Sequence, residues 1–249
     1  MNNTLLRVPG VAPLYWHLKW KVQPKRQPAA RAGNAVLKSK QEWEAACAET
    51  RELGLPLHND PPKNWDSLVA LRAILDHVKP DGRVLDAGSE TYSAILPWLA
   101  NYGYTNLTGI NLVFDRPLKI GPITYEHGDI TKMRFEDSSF DAITSLSVIE
   151  HNVPVSEFLR ESARVLKPGG VLVISADYFD PAIDTKGHVA YGGPVKVFTA
   201  DDMRAMIAEA KSYGLVPTSD MDFSCDEKCV TWSRFGLSYT FVVITLRKA

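Results

Sequence analysis

The sequence predicts an α/β protein built on a doubly wound, mostly parallel sheet. Three observations point there. After Gly82, short apolar runs alternate with helical patterns, as parallel βαβ units require. The run 237–246 is β-rich and follows a loop-like stretch, so it reads as an added antiparallel edge strand. The composition, 45% hydrophobic and 23% charged over 249 residues, is that of a globular protein with a sizeable core.

In chain order, residues 1–40 carry Arg7, Lys19, Lys21, Lys25, Arg26, Arg31, Lys38 and Lys40 with no Asp or Glu, interleaved with Tyr15, Trp16 and Trp20. Such an arm could grip an anionic substrate or make weak contact with a membrane surface. Pro24, Pro28 and Gly33 favour the plainer reading, a solvated irregular arm. A helical face follows from Gln41 with Trp43, Ala46, Cys47 and Leu53, and 58–63 is a turn-rich break. The expected organisation is a basic arm with a helical appendage at 1–63 and the main domain at 64–249. Residues 65–78 read as an amphipathic helix ended by Lys79-Pro80-Asp81-Gly82. Strands are expected at 83–87, 107–112, 123–127, 140–146 and 171–176, with helices at 92–102, 154–166 and 200–213.

A formal net charge of −1 asks for no polyanionic partner, so nucleic acid is not expected. The 3 cysteines are too few for a disulfide framework, and Cys225 and Cys229 have no second Cys or His pair, so no metal site is expected. No apolar run approaches the roughly 20 residues that span a bilayer, and no secretory pattern opens the chain. The expected setting is the cytoplasm.

The first strand ends Val84-Leu85-Asp86-Ala87-Gly88. An acid followed by glycine at a strand's carboxyl end sits where doubly wound sheets bind ligands, and glycine lets the backbone pass close to one. The dinucleotide fingerprint G-x-G-x-x-G is absent, and Glu90 would repel a pyrophosphate while tolerating a cation.

Four segments then occur in one order: VLDAGS at 84–89, HGDIT at 127–131, FDAITSLSVIEH at 140–151 and ARVLKPGG at 163–170. As a set they resemble the class I S-adenosylmethionine (SAM) dependent methyltransferases of the small-molecule type. The resemblance implies SAM as cofactor and a Rossmann-like seven-stranded sheet in the order 3-2-1-4-5-7-6, with strand seven antiparallel. Carried over by position, Asp86 and Gly88 would line the methionine part of SAM, and Asp129 and Ile130 the adenine. Ser145 lies where a backbone carbonyl takes the methionine ammonium. Asn111 stands where the family usually has an acid on the ribose hydroxyls; it keeps an acceptor but no charge. The family's glycine-rich first loop is reduced here to one glycine.

Methyl transfer to a hydroxyl benefits from a general base, and His151, directly after strand four, is the candidate. Glu150 could orient a substrate. Asp177 and Tyr178 follow strand five; Asp177 could hold His151 in one tautomer or bind a sugar diol, a layout that resembles sugar O-methyltransferases. Residues 178–198 suit a substrate lid, with His188 and Tyr191 as its candidates. The tail from Trp232 onward and SADYFDPAIDT resemble a subgroup associated with glycans, so a carbohydrate hydroxyl is the expected acceptor. Two other classes compete. A nucleic-acid methyltransferase is disfavoured because strand four ends SLSVIEH, without the Asn/Asp-Pro-Pro-aromatic cradle for a flipped base. A binding module that kept the fold and lost catalysis is favoured by the glycine-poor loop and opposed by His151 and Asp177.

Overall fold

In the computed structural model, which describes residues 23–249, alternation along the strands sets two layers around one sheet. Val84, Ala142, Val173 and Val243 face the core layer that contains Leu68, Leu71 and Trp98. Their neighbours Leu85, Ile143, Ile174 and Ile244 face the layer that contains Phe158, Met203 and Met206. Each large apolar side chain buried this way contributes about 1.5–3 kcal/mol.

The elements are β1 (Ala35–Val36), α1 (Lys40–Glu52), α2 (Lys63–His77), β2 (Arg83–Ala87), α3 (Ile95–Asn101), β3 (Asn106–Asn111), β4 (Leu118–Ile120), β5 (Ile123–His127) and β6 (Phe140–Leu146). There follow α4 (Val155–Val165), β7 (Leu166–Tyr178), β8 (Val189–Ala190), β9 (Gly193–Pro194), α5 (Ala200–Ser212), β10 (Leu215–Pro217), β11 (Val230–Trp232) and β12 (Leu237–Lys248). Caps fix several starts. Ser39 Oγ accepts from the Glu42 amide at the head of α1, and Thr199 and Asp202 form a reciprocal capping box on α5.

Parallel pairing runs β5–β3–β2–β6–β7. β12 lies antiparallel on β7, and β10 pairs with the far end of β12. This is the Rossmann-like order 3-2-1-4-5-7-6 read from the sequence. Beyond those seven strands, β1, β4 and β11 join the same sheet. Two or three residues are too few to show an alternating pattern, so they left no signal in the sequence. β11, β1 and β10 cover successive stretches of the outer edge of β12, which leaves little of it open to another chain.

Where described, several cations of the basic segment pair with carboxylates of the same chain. Arg26 pairs with Glu49 and Glu52, Arg31 with Glu49, and Lys38 with Asp222. Arg7, Tyr15, Trp16, Lys19, Trp20 and Lys21 lie outside the described residues. Among the described residues, no helix is long and apolar enough to cross a membrane, and no group of three or more His, Cys, Asp or Glu side chains could hold a metal ion.

Candidate active site

The carboxyl ends of the parallel strands bring the ligand residues expected from the sequence to one edge. Ser145 closes on β6, Asp86 and Gly88 on β2, Asn111 ends β3, and Asp129 and Ile130 follow β5. β2 lies between β3 and β6, so strand order reverses there, which is where open α/β sheets form ligand crevices.

The first loop is folded tightly onto this edge. Gly88 has φ of +92°, and a Cβ there would meet Val148 Cγ2 at 2.5 Å, so only glycine lets Val148 lie on the loop. Asn111 Nδ2 donates to the carbonyls of Gly88 and Ser89 at 3.1 Å each, and its Oδ1 accepts from the Val113 amide at 3.3 Å. The side chain is thus a latch between β3 and the loop. A carboxylate at 111 would put its oxygens against two carbonyls, which explains why the usual acid would not fit. Asp86 is buried and accepts from Thr144 Oγ1 at 2.7 Å. Burial pushes its carboxyl up to about 6, against the Thr144 hydrogen bond that pulls it down. The cleft between Asp86, Gly88, Leu146, Val148 and the first turn of α2 holds about 30 Å³. That is space for little more than a water molecule, against roughly 300–1,000 Å³ in ordinary ligand sites.

On the β6 and β7 side the chemistry is different. Glu150 and Asp177 are both buried. Burial, and then the Asp177 charge, raises Glu150 well above its ordinary range. Burial raises Asp177 to about 6, although Lys63 and a Tyr239 hydrogen bond oppose it. Lys63, at the head of α2, carries the neighbouring positive charge. Its ammonium lies 4.6 Å from the Phe241 ring centroid; burial favours its neutral form, and Asp66, Asp177 and Glu150 reverse that and raise its pKa. Asp66 accepts from Ser175 Oγ at 2.6 Å. His151 is half-buried between Tyr191 (ring centroids 4.5 Å apart) and Trp232 (6.1 Å). Burial and the Lys63 charge push its imidazole down to about 4, so it is neutral at neutral pH. Around it, Ser145 Oγ, Ser147 Oγ, Glu150 Oε2 and His151 Nδ1 are buried without a hydrogen-bond partner.

Several expected roles are redistributed. Asp177 faces Glu150, Lys63 and Tyr239, so it is not the group that fixes the His151 tautomer. Tyr178 is not brought to the site: it is fully buried, and its hydroxyl donates to the Phe223 carbonyl at 2.6 Å. His188 packs on Phe235, with ring centroids 4.9 Å apart. Asp129 is exposed, with Oδ1 taken by the amide and hydroxyl of Thr131. Lys63 lies before the helix start expected at 65, and its i, i+3 spacing with Asp66 on the first turn was the available signal. Leu112, left 64% exposed beside Asn111, was not among the expected site residues.

A protein-family model described as a methyltransferase domain matches residues 85–174. The chain is 30% identical over 159 residues to a demethylmenaquinone methyltransferase of Beutenbergia cavernae, covering 61% of this chain and 64% of that protein. It is 31% identical over 108 residues to the 27-O-demethylrifamycin SV methyltransferase of Amycolatopsis mediterranei, covering 41% and 39%. Other curated relatives are matched over only 26% and 34% of their length. Among solved structures, the 1,6-didemethyltoxoflavin-N1-methyltransferase of Burkholderia thailandensis, with S-adenosylhomocysteine bound, superposes with a TM-score of 0.55 at 16% identity, over 90% of this chain and 100% of that one. A SAM-dependent methyltransferase of Mesorhizobium loti gives 0.52 at 20% identity, over 74% and 98%. At these identities the structures speak for the fold.

Proposed function

We propose that this chain, which carries a class I SAM-dependent methyltransferase domain, moves a methyl group from SAM to a small-molecule acceptor, and that the acceptor atom is a hydroxyl of a sugar or glycan precursor. The observation that carries the reading is the turn after β6, where a neutral His151 sits among buried polar atoms that lack partners. Buried polar groups are nearly always bonded, so a cluster of exceptions at strand tips marks a place for a polar ligand.

The residues fit the cofactor. The missing Cβ of Gly88 would let the cofactor approach the backbone, Asp86 and Ser145 would hold its amino-acid end, and Asn111 its ribose. Leu112 would offer exposed apolar surface to the adenine, while Ile130 is packed into the core beside it. Entry requires Val148 to lift from Gly88 and widen the cleft. SAM supplies an already activated methyl group, so the protein's tasks are alignment, exclusion of water and removal of one proton. His151 is deprotonated across the neutral range and takes the hydroxyl proton on a ring nitrogen. Glu150 and Asp177 lie buried behind it with raised pKa values, and Lys63 limits the net negative charge they place there.

A second reading, binding without turnover, is favoured by one observation, the closed cleft at Gly88. The test is incubation with methyl-labelled SAM and a panel of nucleotide sugars and oligosaccharides. Label in a base-stable ether product supports the proposal. Label found only on amine acceptors overturns the hydroxyl assignment, and no label on any acceptor despite SAM binding favours the second reading.

A further inference from the structure

Four described non-glycine residues hold a left-handed backbone: Ser138, Ser147, Asn152 and Tyr191. Three of them frame His151. Ser147 and Asn152 bound its turn, and Tyr191 places its ring 4.5 Å away. For a bulky residue this conformation is unfavourable and persists only when the surroundings impose it. The imposing contacts are visible. Lys196 N donates to Glu150 O at 3.0 Å, and Phe198 N to Asp177 O at 2.9 Å. A Cβ at Gly193 would meet Asn152 Cβ at 2.6 Å, so β9 lies hard against the His151 turn.

Packing does not account for the strain at Tyr191, because the residue is 72% exposed. Its ring instead begins an open aromatic arc that passes through His151 to Trp232, Phe235 and His188, with centroid steps of 6.1, 4.7 and 4.9 Å after the first. The turn that carries His151 also holds the unpartnered Ser147 Oγ, Glu150 Oε2 and His151 Nδ1. Aromatic faces beside a few buried polar groups suit a ligand that is apolar on its ring faces and hydroxylated at its edge.

We propose that Tyr191 and Trp232 bracket His151 as a subsite for a glycosyl ring, and that the arc's opening to solvent admits the end of an oligosaccharide rather than a free monosaccharide alone. The reading of methyl transfer above is needed only for what happens to the bound ring. Here the lid's strain serves ligand contact, not stability.

The experiment compares wild type with Tyr191→Gly and Trp232→Ala by thermal melting, titration with S-adenosylhomocysteine, and saturation-transfer NMR using cellobiose, chitobiose and maltotriose as probes. The expected result is saturation on the ring C–H protons of at least one probe in the wild type. Both variants should lose about tenfold or more in that affinity while the nucleoside affinity stays within about twofold. Tyr191→Gly should melt at or above the wild-type temperature, since glycine accepts the left-handed backbone. A lower melting temperature for Tyr191→Gly, or saccharide contact unchanged in both variants, overturns the subsite. So does a wild type that binds the nucleoside but none of the three saccharides. A wild type that contacts saccharide but not the nucleoside would instead defeat the methyl-transfer reading and leave the subsite standing.

Discussion

The turn after β2 and the turn after β6 lie side by side at the strand tips and are completed in opposite ways. After β2, the loop is bound back onto the protein: Asn111 holds its carbonyls, Val148 covers Gly88, and Thr144 bonds Asp86. After β6, Ser147, Glu150 and His151 keep buried polar atoms without partners, and two residues adopt left-handed backbones. The first turn is latched and covered and leaves one such atom, Ser89 Oγ, whereas the second leaves three. On the proposed reading, the difference makes the reaction half preorganised for contact, while the cofactor half has to open before it binds.

The strongest way to break this contrast is His151→Ala. Removing the base should lower single-turnover methyl transfer by about 10²–10⁴-fold and leave affinity for S-adenosylhomocysteine nearly unchanged. Equal loss of both would make His151 part of the cofactor half. The imidazole, held near 4, should also give no acid limb between pH 6 and 8 in kcat/KM. Its folded pKa lies below the ordinary value of 6.5, so the stability it contributes is complete above that value and is lost as pH falls through about 4.

Next in size is Gly88→Ala. The new methyl meets Val148 and the backbone is strained at φ +92°, so urea unfolding should show a loss of about 1–3 kcal/mol. Adding Val148→Ala should return part of it. No return would mean that the strain is in the backbone alone and that Val148 does not close the cleft.

The smallest expected effect is from Asp86→Asn. With the folded carboxyl raised to about 6 from 3.8, its contribution to stability is present below 3.8 and lost as pH rises through about 6. The amide variant should therefore be more stable than wild type at pH 8 and no different at pH 3.5. Its affinity for SAM should fall, because the carboxylate no longer faces a cation. A stability gain that is flat with pH would argue against a buried, strained carboxyl.

The sheet was legible where apolar runs are bounded by turn chemistry. Ile123–His127 and Phe140–Leu146 appear in the sequence with the bounds they have in the fold. β7 was read short, at 171–176, because its outer residues are extended by pairing, from Leu166 on Phe140 to Tyr178 on Thr240. That support comes from distant segments and leaves no local pattern. Along the site, the strand-end residues were legible because topology alone brings them together. The latch role of Asn111 was not, since it depends on where the next loop's carbonyls point. Nor was Lys63, whose importance arises from carboxylates that reach it from β7 and the turn after β6. Tyr178 failed as a site residue because strand alternation turns it into the core.

A crystal structure grown with saturating S-adenosylhomocysteine tests the central claim most directly. The nucleoside should lie across Asp86, Asn111 and Asp129, with Val148 displaced from Gly88 and the sulfur directed toward His151. Val148 still seated on Gly88, with no ligand density along the strand tips, would contradict it.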